Sequence, residues 1–220
     1  MVDLMGGGSG GPESGADARQ FAAATLRNRE PILAVLDRVM PPEGTILEIG
    51  SGSGEHAVYF APRLEGRHWL PSDAAPDKRM SIAAWIEAEP ADNILKPVNI
   101  DTCTHHWTVE RVIPSPRIVA IASMNMIHIA PWRACLGLMA GAARILKRGH
   151  ILYLYGPFFR DGIQTAPSNE SFDDRLQVEN PEWGIRDLET VADAASSQGL
   201  DLAEVVEMPA NNLSVIFRRA

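Results

Sequence analysis

The chain has 220 residues, 45% of them hydrophobic, which is enough for one domain with a full core. A formal net charge of -8 and a pI near 5.2 argue against a surface built to grip phosphate backbones, so nucleic acid is not an expected partner, although RNA or protein presented to a local patch is not excluded. No stretch reaches the length of a membrane span, and Cys103 and Cys135 lack the close spacing of a zinc site or disulfide framework; a reducing, cytoplasmic setting is expected.

Residues 1–16 are rich in Gly and Ser and lack the basic and apolar regions of a signal peptide, so a disordered tail is expected there, followed by a single domain over 17–220. Residues 18–39 read as helical, with Pro31 opening a second segment and Pro41-Pro42 ending it. A strand over 45–49 runs into a glycine turn, and a helix follows to about residue 64. A short strand over 68–71 ends in Ser72-Asp73, a helix covers 77–87, and a strand over 96–100 ends at Asp101. The apolar strand 118–123 leads to a helix over 134–146, stopped by Lys147-Arg148-Gly149. A fifth strand spans 150–155, a helix 187–198 stops at Gly199, and strands over 202–208 and 213–218 are joined by Pro209-Ala210-Asn211-Asn212. Repeated βα units predict a parallel sheet covered on both faces, and the short last connection forces an antiparallel pair.

The glycine turn carries the chemistry. Gly50, Gly52 and Gly54 let the backbone turn sharply and approach a ligand, and the next helix points its N–H groups over the turn. A dinucleotide site wants G-x-G-x-x-G, whereas here the spacing is G-x-G-x-G, with Glu55 and His56 in the next places. Glu48, inside the strand, would repel a pyrophosphate and attract a cationic ligand. Asp73, about twenty residues beyond the turn, stands where an acid takes both ribose hydroxyls, although a helix N-cap would use the same residue.

The pattern E-x-G-x-G-x-G after the first strand resembles motif I of the class I S-adenosylmethionine (SAM) methyltransferases. More of the chain extends the likeness: Arg27-Asn28-Arg29-Glu30-Pro31, Trp69-Leu70-Pro71-Ser72-Asp73, Asn125-Met126-Ile127-His128-Ile129-Ala130-Pro131-Trp132, Tyr153-Leu154-Tyr155-Gly156-Pro157-Phe158 and Met208-Pro209-Ala210-Asn211-Asn212. Together these resemble the bacterial and eukaryotic methyltransferases that include the methyltransferase-like 26 proteins. That resemblance implies an α/β, Rossmann-like class I methyltransferase fold: a seven-stranded, mostly parallel sheet with one antiparallel strand and helices on both faces. It implies SAM as cofactor and S-adenosylhomocysteine as product, held by Glu48, Gly50, Ser51, Gly52, Gly54 and Asp73. Asp101 would take the adenine amino group or be a solvated turn residue. Asn125, Asn28 and Arg27 complete the cofactor set, Arg27 meeting the SAM carboxylate or an anionic acceptor, or lying on the surface.

The acceptor side falls past the fourth and fifth strands. Neutral His128 is placed to take a proton from a hydroxyl, amine or thiol, or else to cap the next helix, and Asn125 to orient the acceptor. Trp132, Tyr155, Phe158 and Trp183 line a pocket or fill the core; Asn169 is expected in a covering loop and Asn211 in a turn at the ligand edge. Asp101, Cys103, His105 and His106 can ligate metals but lack ligand spacing, so no metal is expected. The expected function is methyl transfer from SAM to oxygen, nitrogen or sulfur on a small molecule, with a homodimer left open. The alternative is a SAM-binding partner or regulatory protein without turnover; a nicotinamide oxidoreductase is disfavoured by the glycine spacing.

Overall fold

The computed structural model describes residues 17–111, 117–163 and 166–220; the expected tail over 1–16 lies outside them. In chain order the strands are β1 (Gly44–Ile49), β2 (Arg67–Ser72), β3 (Ile118–Met124), β4 (Ile151–Phe159), β5 (Arg186–Asp187), β6 (Leu200–Met208) and β7 (Asn212–Arg219). The helices are α1 (Thr25–Val39), α2 (Glu55–Phe60), α3 (Pro76–Ala88), α4 (Trp132–Ile145), α5 (Pro167–Glu179) and α6 (Leu188–Ser196). The described strands form a seven-stranded sheet in the order β2-β1-β3-β4-β7-β6, with β5 alongside the end of β4. β7 pairs antiparallel with both neighbours and every other pairing is parallel. This is the expected α/β architecture.

Strand periodicity divides the core. Leu47, Ile49, Ile121, Leu152, Leu154, Val215 and Phe217 turn to one side, where Leu138 and Met139 of α4 and Val191 of α6 meet them. Ile46, Ala120, Ala122, Tyr153, Tyr155 and Ile216 turn to the other, against Ile32 and Leu36 of α1 and Phe60 of α2. Each fully buried large aliphatic contributes about 1.5–3 kcal/mol. Both faces are covered, so β3 is apolar and buried along its whole length rather than alternating.

Several expectations change. Residues 96–100 form no continuous strand; isolated bridges pair Trp69 with Ile94 and Ser72 with Val98, because Pro97 cannot donate to a ladder. α1 begins at Thr25 and runs unbroken through Pro31, since the packing of Ile32, Val35 and Leu36 outweighs one lost backbone bond. The segment before it crosses α3, with Gln20 N–H donating to Ser81 Oγ at 2.7 Å. Asn169, expected in a loop, lies in helix α5, whose sequence shows too weak an apolar stripe to read. The two-residue β5 was also invisible to periodicity.

The path of the chain locates the ligand edge. From β1 it moves outward to β2 and then returns past β1 to β3. The helices after β1 and β3 leave in opposite directions, which opens a crevice at the carboxyl ends of those strands.

Candidate functional site at the carboxyl edge of the sheet

The three glycines of the turn have positive φ, +70° at Gly50, +58° at Gly52 and +97° at Gly54, but they serve different ends. A Cβ on Gly50 would stand 2.7 Å from Met126 Cγ, and one on Gly54 would stand 2.8 Å from Ile82 Cα in α3. Gly52 alone of the three faces open space, with nothing within 4 Å of that position. The turn therefore packs closely at both ends and leaves bare backbone exposed in the middle.

Glu48 sits beneath this turn, 1% exposed. Its Oε2 accepts from Ser51 Oγ at 2.7 Å and Trp69 Nε1 at 2.9 Å, while Oε1 is buried without a partner among the described residues. Ser72 closes the arrangement by donating its hydroxyl to Glu48 O at 2.6 Å. Burial pushes the Glu48 carboxyl up to about 7, against the pull of the Trp69 and Ser51 hydrogen bonds. The folded chain thus holds this proton more tightly than the unfolded chain. Its stabilising contribution is complete below the ordinary carboxylate range and is lost as pH rises through about 7. Chemical denaturation of the ligand-free protein from pH 5 to 8 should show wild type losing about 2–3 kcal/mol relative to Glu48→Gln. Parallel curves would mean that the carboxylate is solvated.

Asp73, at the end of β2, is fixed against the same turn. Its Oδ2 accepts from Gly52 N–H at 3.0 Å and its Oδ1 from Ala75 N–H at 2.9 Å. Each oxygen keeps a lone pair for a ligand. Asp101 is exposed, and its Oδ1 accepts from Cys103 N–H at 2.8 Å, forming a local turn. Among the described residues no three His, Cys, Asp or Glu side chains are grouped to hold a metal.

Beyond β3, Asn125 takes the left-handed conformation (φ +57°) and donates its N–H to Tyr155 O at 2.8 Å. His128 follows, 1% exposed, edge-on to Phe158 with ring centroids 5.2 Å apart. Gly156 presses on it: a Cβ there would come within 2.4 Å of His128 Nε2 and 3.3 Å of Asn125 Oδ1. Among the described residues neither His128 ring nitrogen has a hydrogen-bond partner, and burial pulls the imidazole down to about 3, so it is neutral at pH 7.

The structure joins residues that the sequence had left apart. Asn28 is buried on α1, and its Oδ1 lies 2.9 Å from Nε2 of His56 on α2. Burial pushes up the ionisation of the Tyr155 hydroxyl, against the pull of the nearby Asn28 side chain. Burial, aided by the Arg29 charge, lowers the His56 imidazole to about 4. His56 was seen in the sequence only as a breach of dinucleotide spacing; its position directly after the turn was the available signal. Arg27, one residue from Asn28, is exposed.

The remaining predicted residues divide. Asn169 Nδ2 donates to Asn211 O at 3.2 Å, and Asn211 Nδ2 donates to Ser168 Oγ, tying α5 to the β6–β7 turn. Trp132 is half-buried at the start of α4, beneath the Arg186 guanidinium, and Trp183 is half-buried in the connection after α5. Phe158 is core, 1% exposed. Cavities of about 490 and 570 Å³ border α4 away from the glycine turn. The cations lining the first, Arg133 and Arg144, are already paired with Glu182 and Glu110. Among the described residues no helix is long and apolar enough to cross a membrane.

Comparison with solved structures bears on the fold. An O-methyltransferase family protein from Burkholderia thailandensis superposes with TM-score 0.73 at 15% identity, over 90% of this chain and 57% of that one. Human N-acetylserotonin methyltransferase, in complex with SAM, superposes with TM-score 0.72 at 14% identity, over 90% and 53%. The mitomycin 7-O-methyltransferase MmcR gives 0.73 at 15%, over 90% and 55%. The likeness is one of fold, and the chain spans little more than half the length of these structures. Sequence gives the narrower placement, because residues 19–219, nearly the whole described chain, match one family throughout: the protein belongs to the family described as "Protein of unknown function (DUF938)".

Proposed function

We propose that this chain binds S-adenosylmethionine and transfers its methyl group to an oxygen, nitrogen or sulfur of a small molecule in the cytosol. One juxtaposition carries the reading: Glu48 Oε1, buried without a partner among the described residues, lies under a turn whose bare Gly52 faces open space, and Asp73 is bonded to that turn. An orphaned carboxylate oxygen fits a cationic ligand, and Asp73 keeps acceptors for ribose hydroxyls. Gly50, Ser51, Gly52 and Gly54 shape the turn, and Asn125 and Asp101 complete our cofactor set. The likeness to methyltransferase-like 26 proteins and to structures bearing SAM or S-adenosylhomocysteine supports the same cofactor.

SAM supplies a methyl group already activated on a sulfonium. The protein's part is then to align the acceptor and exclude water. Asn125 and His128 are our acceptor-side residues, with Trp132, Tyr155, Phe158, Asn169 and Asn211 around them. Because burial makes His128 a weak base, its neutral ring serves better to position an acceptor than to remove a proton.

Calorimetric titration of the full chain with SAM, S-adenosylhomocysteine and NAD tests the cofactor. Micromolar binding of both adenosyl ligands and none of NAD is expected; failure of both would overturn the reading. The sealing of His128 by Gly156 and Phe158 favours one second reading, a SAM-binding partner protein without turnover. Transfer of labelled methyl from bound SAM to any member of a small-molecule panel would exclude it.

A further inference from the structure

Residues 17–22, ahead of α1, form no helix or strand, yet Gln20 is engaged at every polar atom it has. Its N–H donates to Ser81 Oγ at 2.7 Å, and its carbonyl accepts from Trp85 Nε1 at 2.9 Å. Its amide NH2 donates to Asp77 Oδ2 at 3.1 Å, and its amide oxygen accepts from Lys78 Nζ. All four partners belong to α3. Phe21 adds an edge-on contact with the Trp85 ring, centroids 5.1 Å apart. The segment is therefore a strap fastened along one helix.

Two atoms extend its grip to the glycine turn. Ser81 Oγ, which accepts from Gln20, itself donates to Ser53 O at 2.6 Å. Glu55 Oε2 accepts from Ala22 N–H and also from Ser53 Oγ, the latter at 2.9 Å. Both bridging residues are buried, Ser81 completely. A buried hydroxyl that accepts on one side and donates on the other is polarised by both bonds, so losing one weakens the other. Ser53 lies between Gly52, whose N–H is held by Asp73, and Gly54, packed on Ile82. Asp73 and Ile82 thus fix the residues on either side, and the strap fixes Ser53 itself, next to the bare backbone of Gly52.

We propose that residues 19–22 brace the ligand-facing turn, so that binding of the adenosyl ligand and docking of this strap on α3 strengthen one another. This rests on the SAM reading and adds a device that sets its affinity. Ser81 and Glu55 are positioning residues, acting through Ser53 and the turn. The coupling is reciprocal: whatever docking adds to ligand affinity, the ligand adds to docking.

Two measurements on the full chain test it. Amide hydrogen exchange of wild type, with and without saturating S-adenosylhomocysteine, reads docking with no substitution made. The N–H groups of Gln20 and Ala22 should exchange at least about fivefold more slowly in the complex, while amides at the end of α6 keep their rates. The double variant Gln20→Ala, Trp85→Phe removes bonds between strap and α3 and leaves Ser81, Glu55 and the turn intact. By calorimetry it should bind S-adenosylhomocysteine about fivefold or more weakly than wild type, with a melting curve showing that it is folded. Unchanged exchange at both strap amides, or a folded variant with wild-type affinity, overturns the proposal. If wild type binds no adenosyl ligand, the SAM reading falls and the brace with it; if wild type binds and the strap does not respond, the brace alone is lost.

Discussion

Replacing Asp73 with alanine is expected to weaken S-adenosylhomocysteine binding by about a hundredfold or more while the protein stays folded. On the proposed reading the carboxylate takes both ribose hydroxyls, and each charge-assisted bond contributes about 1.5–3 kcal/mol. The same side chain holds Gly52 N–H at 3.0 Å and Ala75 N–H at 2.9 Å, so its loss also loosens the turn that the ligand approaches. Calorimetry gives the affinity, and a melting curve separates binding from folding. Asp73→Asn, which retains one acceptor oxygen, should fall between. An alanine variant with wild-type affinity would place ribose elsewhere and leave Asp73 as a clamp of the turn.

Gly54→Ala should produce a large loss of stability. The added Cβ would stand 2.8 Å from Ile82 Cα, 3.2 Å from its Cγ1 and 3.3 Å from its Cβ. A backbone atom cannot swing aside as a side chain tip can, so α3 as a whole must give way. The left-handed φ of +97° adds strain for any residue with a Cβ. Together these cost about 3 kcal/mol, a fall in Tm of about 6–12 °C for a chain of this size. Gly52→Ala is the contrast. Its Cβ meets nothing within 4 Å, so only the φ of +58° opposes it, and the methyl group would stand in the space left to a ligand. Melting temperatures for both variants decide the matter: similar values would mean that α3 yields to the intrusion.

This contrast marks where sequence reading stops. The spacing of Gly50, Gly52 and Gly54 announces a sharp turn, but three identical letters cannot tell which glycine packs on Met126, which on Ile82 and which faces space. Those neighbours lie far along the chain. The burial of His128 is likewise decided by Gly156 and Phe158, on a different strand. A histidine beyond an apolar strand reads as an accessible base until the backbone that seals it is in place.

The chain by itself determined the α/β architecture, the strand-turn-helix at Ile46 to Phe60, the acid beneath the turn and the acid one strand over. Each of these is local: apolar period, glycine spacing and distance along the chain express them within a few tens of residues. It did not reveal α5, whose stripe is weak, or the irregular path of residues 96–100, where Pro97 interrupts pairing. Only the tertiary structure brought Asn28 and His56 together from α1 and α2 and left Glu48 Oε1 without a partner among the described residues. Hydrogen-bond direction and desolvation depend on what surrounds a group in space, and those surroundings come from segments distant in sequence.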